Sequence, residues 1–219
     1  TGRVLTNDYI NKIADIAKAN DLFVITDEVY KCLVYDNPHR PRSIASISEM
    51  KERTIFINSL SKEFCMTGWR LGYVMANVDI IAAMTKLQEN VAACAPLPSQ
   101  YAAIEALRTD IDYSSEMATI FKKRRDILVK EFAKTDKVDC ITPQATFYAM
   151  VNISRTGMNS EEFAYDLLKA VQVAVVPGKT YGSCCDSYIR IAFTLDENKI
   201  REGVNRICRY LDSLTVLVK

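Results

Sequence analysis

The chain has 219 residues, 28 of them Lys or Arg against 27 Asp or Glu, and 49% are hydrophobic. A net charge of +1 removes the electrostatic case for nucleic acid or an anionic membrane surface as partner, and no apolar run approaches the roughly 18–20 residues that span a bilayer. The length allows one large domain or two small ones, no charged-then-apolar leader opens the chain, and a start at Thr1 rather than Met is expected of a piece of a longer protein.

The first predicted element is an amphipathic helix over 7–19. Thr6 and Asn7 suit its N-cap, and Ile10, Ile13, Ala14 and Ala17 follow at helical spacing. Asn20-Asp21 breaks it. Leu22 to Ile25 is a short continuous apolar run, which predicts a buried parallel strand, and Thr54 to Ile57 and Leu71 to Met75 predict two more. A helix followed by buried strands argues for an α/β sheet covered on both faces.

Helices are predicted over 78–92 and 99–108, with Pro96 and Pro98 interrupting between them. A long helical pattern over 114–133 carries Met117, Ile120, Phe121, Ile127, Leu128 and Phe132 on one side. The charged side, Lys122 to Asp126, reads as a solvated face. This helix is suited to connect two domains. Strands follow at 138–141 and 147–151 around a turn at Pro143, then a helix over 160–171, strands at 173–176 and 188–193, and a closing helix over 196–214. That is an α+β unit without repeats.

The seven Cys, at 32, 65, 94, 140, 184, 185 and 208, are odd in number, scattered, and form no C-x-x-C pair. Reduced thiols in a cytoplasmic protein fit better than a disulfide framework or structural zinc. The single His39 sits in a turn-like Asn-Pro-His-Arg-Pro-Arg stretch and reads as a surface residue, which limits histidine catalysis and metal binding.

Three places carry chemistry. Ser59, Ser61 and Lys62 lie just past the strand ending near 57, in Ser59-x-x-Lys62 followed by Gly68-Trp69-Arg70-x-Gly72. Ligands of open α/β sheets bind beyond strand C-terminal ends. There a Lys can act as a nucleophile, while serine hydroxyls and an Arg fork suit a phosphate. The plain alternative is a surface Lys beside a structural Trp. Asp27 leaves an apolar strand directly, in Asp27-x-x-Tyr30, and would need a cation or hydrogen bonds if buried; the plain alternative is a helix N-cap. Arg190 sits inside the apolar strand Tyr188 to Phe193, where a fork can clamp a carboxylate; the plain alternative is an edge-strand Arg reaching water. Four of only seven glycines fall in two clusters, Gly68/Gly72 and Gly178/Gly182, which suggests loops that hold something.

Taken in order, these residues resemble the class I/II (fold-type I) aminotransferases, which use pyridoxal 5′-phosphate. Pro177-Gly178-x-x-Tyr181-Gly182 and Arg190 resemble that family's C-terminal landmarks, and Met66 to Arg70 is similar to the aspartate and aromatic subgroup. The resemblance covers essentially the whole chain. It implies a three-layer α/β/α large domain lacking its N-terminal part plus a smaller C-terminal α+β domain. Residues 1–110 would belong to the cofactor-binding large domain, 111–135 would form the connecting helix, and 136–219 the small domain.

The resemblance also implies roles. Lys62 would form the Schiff base with the cofactor and carry the proton at the substrate α-carbon. Asp27 would pair with the pyridinium nitrogen, and Tyr30 with the ring oxygen. Ser59 and Arg70 would hold the phosphate, with Ser61 a further candidate, and Arg190 would clamp the substrate α-carboxylate. The substrates would be an amino acid and a 2-oxo acid, and the full-length protein a homodimer in the cytoplasm.

Thr1-Gly2 is similar to the tail of the family's Asn-Pro-Thr-Gly motif, so the full protein is expected to be nearly twice as long, and full activity is not expected of this chain alone. Ala145 stands in Gln144-Ala145-Thr146-Phe147-Tyr148 where the family has Gly. Two other functions stay open: a C–S β-lyase or aminocyclopropane-carboxylate-synthase-like enzyme with the same site residues, and a non-catalytic fragment that binds a partner through a half-sheet.

Overall fold

The computed structural model describes residues 1–36 and 42–214. His39 lies outside them. The chain divides into two compact units, one spanning Val4–Ala118 and the other running from Thr119 onward together with Thr1–Arg3.

In the Val4–Ala118 unit, α1 (Asn7–Ala19) starts where the Thr6 side chain accepts from Tyr9 N at 3.3 Å. Ile10, Ala14 and Ala17 share one face and pack against Ile44 and Met50. Three strands form one sheet in the order β1-β2-β3: β1 (Val24–Asp27), β2 (Thr54–Ser59) and β3 (Gly72–Met75). Strand β1 runs parallel to β2, with Asp27 opposite Ile57, and β3 runs antiparallel, with Gly72 opposite Ser59.

The architecture is α/β, but two strand expectations need correction. The apolar run 22–25 is not a buried strand. Leu22 and Phe23 precede β1, and Ile25 is 68% exposed, because among the described residues β1 is the edge of its sheet. The third strand is antiparallel rather than parallel. Nor is the sheet tightly covered on both faces, since no residue of α3 (Val78–Val91) is buried. Pro96 and Pro98 open a helix as well as interrupting one. Pro96 is the N-cap of α4 (Leu97–Arg108), and Pro98 occupies the first turn, where a missing N–H costs nothing.

Helix α5 (Tyr113–Phe132) passes from one unit into the other. The second unit has an antiparallel sheet of order β4-β5-β7-β6, built from β4 (Asp139–Cys140), β5 (Tyr148–Asn152), β6 (Val176–Pro177) and β7 (Tyr188–Ala192). Its other helices are α6 (Ser160–Val171), opened by an Asn159/Glu162 capping box, and α7 (Glu197–Ser213). Phe163 and Leu167 from α6, Ala149 to Val151 from β5, and Ile200, Val204, Ile207 and Leu211 from α7 are all buried.

The charged face of α5 is only partly solvated. Arg125 is buried and donates to Pro143 O at 3.2 Å and to the Asp126 carboxylate, while Arg124 donates to Thr194 O at 2.8 Å. Helical spacing marks a face as polar but cannot say that a guanidinium will be consumed by a neighbouring carbonyl. Gly2, at φ +73, belongs to this unit: its carbonyl accepts from Gln144 N and Ala145 N, and a Cβ there would meet Pro143 at 2.5 Å. Ala145 needs no positive φ; that strain sits one residue on, at Thr146 (φ +66).

Candidate functional site

The Val4–Ala118 unit gathers five of the residues singled out in the sequence at the C-terminal ends of β1 and β2. Asp27 is the last residue of β1. Its Oδ1 accepts from Val29 N at 3.1 Å, so it stiffens a turn and caps no helix. Tyr30 follows in that turn. Lys62 lies on the short helix α2 (Leu60–Glu63), which springs from the end of β2, and its Nζ stands 5.9 Å from the centroid of the Tyr30 ring. The lysine and the Asp27–Tyr30 turn therefore occupy one end of the sheet.

Ser59 and Ser61 are locked together. Ser59 Oγ accepts from Ser61 N at 3.1 Å to cap α2, lies 2.9 Å from Ser61 Oγ, and bonds Leu71 O at 3.0 Å. Arg70 ends a 3-10 turn in the left-handed region at φ +53 and donates to Thr67 O at 2.9 Å. Cys65, at φ +54, is left-handed as well, so two non-glycine residues bracket the turn at roughly 1 kcal/mol each. Ser59 and Arg70 line a cleft of 990 Å³ with Asn58 and Gly72 on one side and Met84 and Gln88 of α3 on the other. Lys62, Asp27 and Tyr30 do not line it.

Asn58 is a residue the sequence reading passed over. It is 3% exposed, donates from Nδ2 to Tyr73 Oη at 2.9 Å, and accepts at Oδ1 from Ser59 N at 2.8 Å. It thereby orients the serine from below. The signal was available: an amide at the end of the apolar run Ile55-Phe56-Ile57 is costly unless satisfied. Gly72 is needed for close approach, since a Cβ there would sit 2.9 Å from Asn58 O, whereas around Gly68 there is open space.

Arg190 belongs to the other unit. It lies in β7, a strand flanked by β5 and β6 and not an edge, with Met150 and Val176 as its neighbours. Its guanidinium is held between two rings, 4.1 Å from that of Tyr148 and 4.3 Å from that of Tyr181. Its buried Nε has no hydrogen-bond partner among the described residues. A buried guanidinium nitrogen left unpaired is costly, and a carboxylate presented to the fork would satisfy it. Tyr148 was also legible as a neighbour: it stands opposite Ala192, two places from the Arg190 pair and so on the same face.

Three comparisons bear on this arrangement. The family described as aminotransferase class I and II matches residues 1–207. An aspartate aminotransferase of Pyrococcus abyssi is 39% identical over 213 residues, 96% of this chain and 54% of that protein. An aromatic-amino-acid aminotransferase 2 of Thermococcus litoralis is 37% identical over 213 residues, with the same two shares covered. The solved aromatic aminotransferase from Pyrococcus horikoshii superposes with a TM-score of 0.94 at 38% identity, over 99% of this chain and 58% of that one. The chain thus spans about half the length of the relatives it matches.

Proposed function

Since the chain belongs to the class I and II aminotransferases, we propose that it carries the lysine-bearing part of a pyridoxal-phosphate-dependent transaminase. That enzyme would move an amino group between an amino acid, aspartate or an aromatic one, and a 2-oxo acid. The observation that carries the reading is Lys62 Nζ facing the Tyr30 ring at 5.9 Å, at the sheet end where Asp27 closes β1. The names of the relatives support the substrate choice. Residues 1–110 would form the cofactor-binding part, 111–135 the connecting helix and 136–219 the small domain.

The residues fit the cofactor by their chemistry. An amine, a carboxylate and a phenol meet at one sheet end, two hydroxyl-bearing residues share one helix start, and a guanidinium shares a cleft with one of those hydroxyls. Pyridoxal phosphate, when bound, supplies an electron-accepting ring. Asp27 would then hold the proton on the ring nitrogen and Tyr30 would bond the ring oxygen. Ser59 and Arg70, with Ser61 behind Ser59, would bind the phosphate. Lys62 Nζ would anchor the cofactor and move the proton at the substrate α-carbon. The Arg190 fork takes the α-carboxylate, and its unpaired Nε supports that role.

The reading includes a homodimeric, cytoplasmic full-length protein. The odd number and scattered spacing of the seven cysteines support a reducing location, and the exposed apolar residues of α3 and α4 support a covered surface in the whole assembly. A second reading, a chain without turnover on its own, is supported by α3, which has no fully buried residue, and by the half-length match.

The test incubates the full-length protein with pyridoxal phosphate, fixes it with borohydride, and maps the added pyridoxyl mass. It is expected on Lys62 and absent in Lys62→Ala. Aspartate with 2-oxoglutarate should then yield glutamate. A C–S β-lyase would instead form no glutamate from aspartate and would release pyruvate, ammonia and a thiol from cystathionine.

A further inference from the structure

Cys184 and Cys185 are adjacent in the chain and close a 3-10 turn, Ser183–Cys185, with their Sγ atoms 3.8 Å apart. Cys184 is exposed and Cys185 half-buried. The turn is pinned on both sides. Cys185 N donates to Gly182 O at 2.9 Å, Asp186 N donates to Ser183 O at 3.2 Å, and the Asp186 carboxylate accepts from Ser160 Oγ at 2.7 Å and Ser160 N at 3.2 Å. The pinned turn keeps the two Cα positions fixed, and the sulfurs stand in van der Waals contact across it. The other five thiols differ. Cys32 is buried, burial pushes Cys140 up to about 12, Cys208 is half-buried, and Cys65 and Cys94 are exposed single thiols.

We propose that Cys184 and Cys185 form a reversible vicinal disulfide, a modification site oxidised by peroxides. Consecutive Cα atoms lie about 3.8 Å apart, below the usual span of about 4.4–6.8 Å for a disulfide. The bond is strained, and a strained, exposed disulfide is readily reduced. That suits a thiol pair which is reduced at rest and oxidised only transiently.

The chemistry balances with a hydroperoxide as oxidant. The exposed Cys184 thiolate attacks one peroxide oxygen; an S–O bond forms, the O–O bond breaks, and its electron pair leaves on the departing oxygen, which takes up a proton. Cys185 sulfur then attacks Cys184 sulfur, the S–S bond forms, and the S–O bond breaks. The released hydroxide takes the Cys185 proton as water. The hydrogen bond with Cys184, followed by burial, holds the Cys185 thiol above its ordinary value. Cys184 is exposed and Cys185 half-buried, which makes Cys184 the attacking thiol and Cys185 the resolving one.

The turn is also coupled to its surroundings. The Cys185 carbonyl packs against Gly178 so closely that a Cβ there would lie 2.1 Å from it, and the 3-10 turn Gly178–Tyr181 ends in the ring that covers Arg190. Closing the eight-membered ring changes the backbone torsions at Cys185, whose carbonyl packs against Gly178, so oxidation is expected to disturb the Tyr181 contact and weaken carboxylate binding at Arg190. This last consequence rests on the reading of Arg190 given above; the disulfide itself does not.

Trypsin cutting after Lys179 and Arg190 releases Thr180–Arg190, which holds both cysteines and no other. After hydrogen peroxide this peptide should lose about 2 Da and recover it with dithiothreitol. Cys184→Ser and Cys185→Ser should each abolish the loss, and Cys65→Ser should leave it intact. Gain of oxygen on the peptide, a cross-link to another cysteine, or two thiols still open to alkylation would overturn the proposal. A second arm measures succinate affinity before and after oxidation. A weakening of several-fold is expected. An unchanged affinity with the disulfide formed removes the coupling to Arg190, while no succinate binding in either state removes the carboxylate reading of Arg190 and leaves the thiol pair standing.

Discussion

From Thr119 onward, α6 and α7 close over β5 and β7, and Phe163, Leu167, Ile189, Phe193 and Leu211 have no exposed surface. In the Val4–Ala118 unit, α3 has no fully buried residue, Ile25 is 68% exposed, and the core includes a cluster around α1 and another around Leu60, Met66 and Ala103. Both units draw on the same hydrophobic vocabulary. What differs is whether each apolar face meets a partner within the described residues. Hydrophobic stabilisation depends on area removed from water, so the second unit should hold most of the chain's stability and the first most of its unspent apolar surface.

The largest test of that contrast is Phe163→Ala. Removing a fully buried ring that stacks edge-on against Tyr210 should cost about 3–5 kcal/mol. The only tryptophan, Trp69, lies in the other unit and reports on it separately. In urea, the circular-dichroism transition should shift to lower concentration while the Trp69 fluorescence transition stays in place. If both move together, the units unfold as one and the contrast fails. Next in size is Gly178→Ala, whose Cβ would meet two backbone carbonyl oxygens at 2.1 and 2.4 Å; backbone cannot swing aside, so about 1–3 kcal/mol is expected. Gly68→Ala, with nothing within 4 Å, should stay within about 0.5 kcal/mol by the same measurement.

These glycines show where sequence reasoning reached and where it stopped. Two short Gly clusters suggested loops that hold something, but glycine scarcity cannot separate close approach, as at Gly72 and Gly178, from open space, as at Gly68. Helices were the legible part. The expected span 7–19 is α1, and 160–171 is α6, because a 3.6-residue period with a capping residue belongs to the local sequence. Strands were less legible. Leu22 to Ile25 looked buried because continuous apolarity marks a two-sided environment, yet burial depends on what lies across the sheet. In the site, Lys62, Asp27 and Arg190 stood out because charge inside or beside an apolar strand is conspicuous. Asn58 was signalled only by an amide closing an apolar run, and Tyr148 and Tyr181 stood inside longer motifs; that both rings reach Arg190 depends on how β5, β7 and the Gly178–Tyr181 turn come together, which no single segment displays.

An effect smaller than those at Phe163 and Gly178 sharpens the contrast through pH. Glu131 on α5 is 3% exposed and is held below its ordinary value by hydrogen bonds from Lys134 and Arg201 that outweigh burial. A carboxylate with a lowered folded-state value contributes stability that is fully present above the ordinary carboxylate range, about 4.5, and is lost as pH falls through the lowered one. Both cations are substantially exposed, so the contribution is about 1 kcal/mol. Urea titrations between pH 3 and 7 should therefore show a steeper acid loss for the native chain than for Glu131→Gln, which has no proton to gain. Equal slopes would mean that the acid sensitivity of this unit comes from other carboxylates.

The smallest effect expected in this chain is Leu87→Lys on α3. Leu87 is 67% exposed, and Leu and Lys have nearly equal helix propensities, so the change should alter stability by less than about 0.5 kcal/mol. The outcome becomes informative when the same substitution is made in the full-length protein. If the further length found in the relatives covers α3, a Lys at this position must either be buried unpaired or push the covering segment away, and the cost should rise to about 2 kcal/mol or more. The difference between the two measurements, read by Trp69 fluorescence in urea, is the quantity that matters. A small value in both proteins would leave α3 a solvent-facing helix in the whole protein, and the apolar residues along it would then need another explanation.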